Sequence, residues 1–265
     1  MPTTETMRIR YWMDLLVGKS YPVLLVGAPG TGKTAAILDK LSALNEDWVV
    51  ARTAFNHYTV HSTIQGVLEA PLEKKAGRNY GPPGTKRLIY FVDDLNMPEV
   101  DLYGTASPHT IMRQHIDYNH WYDRQKRTLR VVSNTQYVCC FNPKAGSFTI
   151  NARLQRHFSV FAISNPGTES LQTIYRSLFN AHLTAGKFAG SIAKIGDKLV
   201  EVAIKLHTKV VQVFLPTAIK FHYLFNLRDL SNIFQVRIGR VRLTLASPMC
   251  ECEDVATCIC MHPYY

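Results

Sequence analysis

The sequence predicts an α/β fold: a larger domain built on a parallel sheet, followed by a smaller helical domain. Three observations carry this. A strand, a glycine-rich loop and a helix succeed one another around residues 21–44. Leu88–Val92 is an unbroken apolar run of strand length, the pattern of a central strand covered on both faces. From Pro166 onward the apolar residues recur at helical spacing and the strand pattern is lost.

Taken in chain order, Tyr21–Val26 reads as a buried strand, and Ile37, Leu38, Leu41 and Leu44 mark the helix after the loop. Trp48–Ala51 reads as a second strand. Ser62 with Gln65 fits a capping box that opens a helix, stopped by Pro71. Lys74–Arg87, with Gly-Pro-Pro-Gly and several basic residues, predicts an exposed loop or hairpin. Ser107-Pro108 fits an N-cap with proline at the first helical position, for a helix to about Tyr122. Asp123–Arg130 is charged and predicts a second surface hairpin. Gln136–Phe141 is another core strand, ended by Asn142-Pro143. Leu171, Ile174, Tyr175, Leu178 and Phe179 then form one stripe, and Ile192, Ile195, Leu199, Val202, Leu206, Val210 and Val213 another, on a long helix stopped by Pro216. A last helix opens at Asn226 with Leu227, Leu230, Ile233 and Phe234 on one face. The expected division is 1–167 as the α/β domain, 168–235 as the helical domain and 236–265 as an atypical, disordered tail.

Composition narrows the function classes. With 46% apolar and 19% charged residues, the 265-residue chain can bury a large core without disulfides or metals. No run is long and apolar enough for a membrane span, and Met1–Arg10 does not read as a signal peptide. Reduced thiols and an intracellular site follow as expectations. The formal charge of +10 permits an acidic partner without selecting one.

The chemistry concentrates in a few places. Gly27-Ala28-Pro29-Gly30-Thr31-Gly32-Lys33-Thr34 matches G-x-x-x-x-G-K-[ST] between a strand and a helix. Glycines let the loop curl its amides toward phosphates, and the helix N-terminus adds positive potential. Lys33 can reach the β- and γ-phosphates, and Thr34 can offer its hydroxyl to Mg²⁺. The apolar strand ending in Asp93-Asp94 delivers Asp93 to hold Mg²⁺ through water and Asp94 to orient or deprotonate an attacking water. Asn142 either positions water beside the γ-phosphate or serves as a turn residue before Pro143. Arg153 and Arg156 can reach a phosphate across a subunit boundary, or stand as surface arginines. Arg228, at the head of the last helix, carries the same two readings.

This order of motifs resembles an AAA+ ATPase: a P-loop AAA+ large domain with a parallel sheet, plus a smaller helical lid domain. The text is closer still to dynein heavy chains of the axonemal type. The resemblance rests on Phe91–Asp101 (FVDDLNMPEVD), Arg113–Asp117 (RQHID), His120–Asp123 (HWYD), Phe148–Asn151 (FTIN), Arg153–Phe158 (RLQRHF) and Phe225–Asn232 (FNLRDLSN). It covers residues 1–235 and is closest to the third AAA+ module. It implies ATP and Mg²⁺ as ligands, with Gly27–Thr34 as Walker A, Asp93 and Asp94 as Walker B, Asn142 as sensor 1 and Arg228 as sensor 2. Arg156 aligns with the arginine finger that serves a neighbouring module, with Arg153 as the fallback. Pro2–Thr6 aligns with the segment near the adenine. Implied partners are the neighbouring AAA+ modules and other dynein chains, with microtubules reached only through the full-length motor. No nucleic acid or membrane partner is expected. The implied location is the cytoplasm and cytoskeleton, in the ciliary axoneme.

Asp94 departs from the family's glutamate, so slow or regulatory hydrolysis is expected. Thr53–His57 strays from the family text. After Gln235 the resemblance is expected to end, in a segment like an alternative or out-of-frame C-terminus whose Cys-x-Cys pairs suggest Zn²⁺ only weakly. The competing readings are a nucleic-acid-remodelling AAA+ ATPase, favoured by the basic charge, and a truncated nucleotide-binding product without motor activity.

Overall fold

The computed structural model describes residues 3–144, 150–186, 190–220 and 222–235. The chain divides into two compact units, Met1–Ile174 and Tyr175–Tyr265. The cysteines between 250 and 260, and Phe148-Thr149 of the family text, lie outside the described residues.

The first unit opens with helix α1 (Thr4–Gly18), capped by Thr3, whose hydroxyl and backbone exchange hydrogen bonds with Thr6. Strand β1 (Val23–Gly27) leads through the glycine loop into α2 (Lys33–Ser42). Then come β2 (Trp48–Ala54), α3 (His61–Glu69), the short strands β3 (Glu73–Lys74) and β4 (Asn79–Gly81), and β5 (Arg87–Asp93). Helix α4 (Ser107–Tyr118), β6 (His120–Tyr122), β7 (Leu129–Val132), β8 (Thr135–Phe141), α5 (Ala152–Gln155) and β9 (Ser159–Ile163) complete it.

Five strands form one sheet in the order β2-β5-β8-β1-β9. Every adjacent pair is parallel. Alternation along the strands sorts the core onto two faces. Val23, Leu25, Ile89, Phe91, Val138 and Cys140 pack with Met13 and Val17 of α1 and Ile37 and Leu41 of α2. Leu24, Leu88, Tyr90, Val92, Tyr137 and Cys139 pack with Ile64 and Leu68 of α3 and Met112 of α4. Both faces are covered, which is why these strands read as continuous apolar runs. Ion pairs Arg10–Asp39 and Lys40–Asp14 join α1 to α2.

The two predicted hairpin segments lie side by side in a second sheet, β3-β4-β7-β6, in which β4 pairs with β7 in parallel. Its anchor is the Glu69 carboxylate at the end of α3. Oε1 accepts from Gln65 (2.9 Å) and from the indole N–H of Trp121 (2.8 Å). Oε2 accepts from Arg130 (2.8 Å), which also pairs with Asp123. The backbone amides of Lys126 and Gln125, then Arg130, hold the Asp123 carboxyl down at about 2.

Other expectations need correction. The predicted helix to Tyr122 stops at Tyr118, because Asn119 takes a left-handed conformation (φ 54°) that turns the chain into β6. Ser62 is not a cap. The helix starts at His61, whose amide donates to Ser107 Oγ, while Gln65 reaches Glu69 and the Tyr122 carbonyl. The helix α1 and strand β9 lack a signal in the pattern read above.

The second unit contains most of α6 (Thr168–Ala185), α7 (Gly190–Val213) and a last helix over 227–235. The boundary between the two units falls within α6. The buried face of α7 also differs from the predicted stripe. Val200 and Ile204 are buried, whereas Ile195, Val202, Leu206 and Val213 are exposed. Gly196 explains the choice: a Cβ there would stand 2.8 Å from the Phe179 ring and 3.1 Å from Leu183 of α6, so the helices meet where α7 has no side chain. Tyr175 stacks on Phe234 (centroids 4.6 Å apart) and bonds Ser231 Oγ at 2.8 Å. No described helix is long and apolar enough to cross a membrane.

Candidate functional site

The loop between β1 and α2 lies at the carboxyl end of the sheet. There β1 leads away through α2 to β2 on one side, while its neighbour β8 leads past it through α5 to β9 on the other. Adjacent strands left in opposite directions open the crevice where open α/β sheets take ligands. Gly27 passes so close to β9 that a Cβ would stand 2.4 Å from the Ile163 carbonyl oxygen. Gly30 (φ 80°) and Gly32 (φ 86°) adopt left-handed conformations. Gly32 is also the N-cap of α2 and has no side chain to satisfy its first-turn amides, and no acidic residue stands in that turn. The amides therefore face the loop as an anion-binding terminus.

Lys33 is buried, and its ammonium donates to the carbonyls of Gly27 and Ala28, both at 2.8 Å. These bonds hold the cation inside the curl of the loop. Thr31 closes the turn by donating to the Ala28 carbonyl at 2.9 Å. Pro29 stands exposed at its tip.

The acidic strand end lies directly across. Thr34 Oγ1 donates to Asp93 Oδ2 at 3.0 Å. Two oxygens at that spacing suit adjacent positions on a small octahedral cation, whose bonds of about 2.1 Å give an edge near 3 Å. Among the described residues no cluster of three His, Cys, Asp or Glu could hold a metal. The chain thus offers two hard oxygens, the usual protein share at a Mg²⁺ site completed by phosphate and water. Asp94 follows at φ 53°, its amide donating to Asp93 Oδ1 at 3.0 Å. Left-handed backbone is tolerated better by Asp than by Glu, a local reason for the shorter acid.

Asn142 directly follows β8 and is buried. Its Oδ1 accepts from the Lys144 amide (3.1 Å), the Asx turn that Asn-Pro suggests, and its carbonyl accepts from Asn96 Nδ2 (3.1 Å). With Leu95 N–H bonded to the Cys140 carbonyl, this ties the turn after Asp94 to the end of β8. Thus Gly27–Thr34, Asp93 and the Asp94 turn share one end of the sheet with Asn142. Arg153 and Arg156 lie elsewhere, on α5 and just after it, where Arg156 Nη2 is 3.6 Å from Asp117 Oδ1. Arg228 belongs to the second unit, where its amide donates to Asn226 Oδ1. Thr3, in the segment that the resemblance places near an adenine, caps α1.

Two participants escape the motif reading. Cys140 donates its thiol hydrogen to Asp93 Oδ1 at 2.8 Å, and its sulfur is 4.0 Å from Thr34 Oγ1. Burial and then the Asp93 carboxylate raise its pKa, so it remains a thiol. Strand alternation was the available signal: Cys140 shares a sheet face with Phe91, and register brings β5 and β8 together. Asn96 was visible in the Asp-Asp-Leu-Asn run, but its role depends on the turn geometry.

Sequence comparison agrees with this geometry. The family model for the P-loop containing dynein motor region matches residues 1–166, and that for the AAA+ lid domain matches 199–248. Resemblance therefore extends past Gln235, where the literal motifs stop. The chain is 58% identical over 248 residues to dynein axonemal heavy chain 17 of Homo sapiens, covering 93% of this chain and 6% of that protein. It is 60% identical over 233 residues to the ciliary dynein beta chain of Tripneustes gratilla, covering 88% and 5%. It is 50% identical over 236 residues to the flagellar outer arm dynein alpha chain of Chlamydomonas reinhardtii, covering 89% and 5%. The chain thus spans only about one-twentieth of these relatives.

Proposed function

The chain belongs to the family of P-loop-containing dynein motor regions, and from that premise we propose that it is an ATP-binding AAA+ module, the third of an axonemal heavy chain, with slow or regulatory hydrolysis. The observation that supports this most is the 3.0 Å approach of Thr34 Oγ1 to Asp93 Oδ2 beside a loop whose amides and ammonium face inward.

In this reading Lys33 exchanges its two loop carbonyls for phosphate oxygens when ATP enters. Thr34 and Asp93 would hold Mg²⁺, which would supply positive charge to offset that of the phosphates. Asp94 receives a proton from, or orients, the attacking water, and Asn142 helps position it. The short side chain of Asp94 leaves that water less well placed than a glutamate would. Arg228 acts as the sensor arginine of the helical unit, and Arg156 serves the nucleotide of an adjoining module. Binding shifts the populations of ring conformations. In the intact motor this module would regulate microtubule-based ciliary movement, in company with neighbouring AAA+ modules and other dynein chains of the axoneme.

The test is ATP affinity of the chain with Mg²⁺, before and after Lys33→Ala. A loss of at least tenfold is expected, and equal affinity in the two proteins rejects the assignment.

A further inference from the structure

The turn that carries Asp94 is fixed by backbone bonds from several directions. The Asp93 carbonyl accepts from the Phe55 amide, just beyond β2, at 3.0 Å. The Asp94 amide donates to Asp93 Oδ1, and the Asp94 carbonyl accepts from the Met97 amide, both at 3.0 Å. The Leu95 amide donates to the Cys140 carbonyl of β8 at 3.1 Å. A further bond comes from a helix. The Leu95 carbonyl oxygen lies 2.7 Å from Nε2 of His109, in the first turn of α4.

A carbonyl oxygen only accepts, so Nε2 carries the hydrogen. The ring is 5% exposed and lies beside Phe55, with centroids 6.5 Å apart. Burial holds its pKa below the ordinary histidine value, so the donor is the neutral ring. Asp94 meanwhile sits at φ 53°. An L-residue keeps that conformation only where its surroundings over-determine it. The peptide that His109 holds also leads into Asn96, whose Nδ2 donates to the Asn142 carbonyl at 3.1 Å. One ring therefore steadies both the backbone beside Asp94 and its link to the end of β8.

We propose that His109 is a positioning residue of the nucleotide site: through the Leu95 carbonyl it sets the turn that aims Asp94 at the attacking water and ties that turn to Asn142. The proposal rests on the reading of the loop and strand end as an ATP site. His109 acts through the backbone, so it governs hydrolysis and leaves nucleotide affinity alone.

The whole chain is tested in four variants. His109→Leu keeps bulk and removes the donor. His109→Gln places an amide N–H as many bonds from Cβ as Nε2, whereas His109→Asn falls one bond short. His115→Leu removes another buried histidine further along α4. Hydrogen exchange of the nucleotide-free chain reads the turn. The Leu95 and Met97 amides exchange about tenfold faster with His109→Leu and His109→Asn, the worth of one buried hydrogen bond, and near the parental rate with His109→Gln. Single-turnover ATP hydrolysis with Mg²⁺ reads the site. It falls about tenfold or more in the same two variants and recovers with His109→Gln, while ATP affinity stays within about twofold. His115→Leu lowers stability and moves neither readout. Unchanged exchange with His109→Leu overturns the role of the bond. Parental hydrolysis despite a loosened turn overturns positioning, as does an equal loss with His115→Leu or with His109→Gln. A parent that binds ATP without hydrolysing it overturns positioning too. The ATP reading fails on a different observation, equal ATP affinity with and without Lys33→Ala.

Discussion

Replacing Gly27 with alanine isolates the close approach of β1 and β9. The new Cβ would lie 2.4 Å from the Ile163 carbonyl oxygen and 3.2 Å from Thr31 Oγ1. Ordinary contact begins near 3.4 Å, so the strands must part by about 1 Å where Gly27 and Ile163 are in register. The obstructing atom is backbone and cannot rotate aside. Overpacking of this kind costs about 2–3 kcal/mol. At about 2–4 °C per kcal/mol for a domain of this size, the melting temperature falls by about 4–12 °C. Two other glycines separate the causes. Gly32→Ala meets no atom within 4 Å but is held at φ 86°, so it pays only strain of about 1–2 kcal/mol. Gly18→Ala meets neither obstacle and is neutral or stabilising by about 0.4–1 kcal/mol. Thermal unfolding followed by circular dichroism and calorimetry ranks the three. The steric reasoning fails if Gly27→Ala melts within about 1 °C of the parent, or if Gly18→Ala melts as low as Gly27→Ala.

Burial, with the charge of His120 adding to it, lowers His115 from 6.5 to about 4. Between those values the unfolded chain binds more protons, so stability is full above about pH 6.5 and is lost as pH falls through 4, by about 3 kcal/mol in all. Urea unfolding of His115→Gln should show a flatter pH dependence; an unchanged slope removes His115 as its cause. Asp94→Asn keeps a residue tolerant of left-handed backbone, so stability and nucleotide affinity persist while single-turnover hydrolysis drops about a hundredfold; hydrolysis at the parental rate denies Asp94 its role with water. Cys140→Ala removes the donor to Asp93 and raises the Mg²⁺ needed for half-maximal nucleotide tightening about fivefold, corresponding to about 1 kcal/mol. Cys140→Ser restores it, and affinity in EDTA is unaltered. An equal loss in EDTA points to packing instead.

The nucleotide loop was legible because its geometry is local: strand, curl and helix are contiguous, and each glycine serves within a few residues. The apolar strands were legible because both sheet faces bury them, and β5 and β8 match their runs to within a residue. What escaped depends on partners distant in sequence. Nothing near Lys74–Arg87 announces that Asn79 and Tyr80 pair with Val131 and Val132. The α7 face turned on Gly196, a residue with no hydropathy to contribute but with space for Phe179. In the site, Asp93 was visible as a strand end, but Cys140 as its donor required knowing which strand lies beside it.

Glu69 gives the small sheet its most consequential property. A single carboxylate gathers donors from α3, β6 and β7. Such a knot makes these segments open as one cooperative unit. Amide protons on both sides of it should therefore exchange with deuterium at a common rate, faster together when Glu69 is replaced by glutamine. A protein that grasped the outer strands would pull directly on the helix against the nucleotide-binding sheet, giving the module a mechanical input remote from its phosphates.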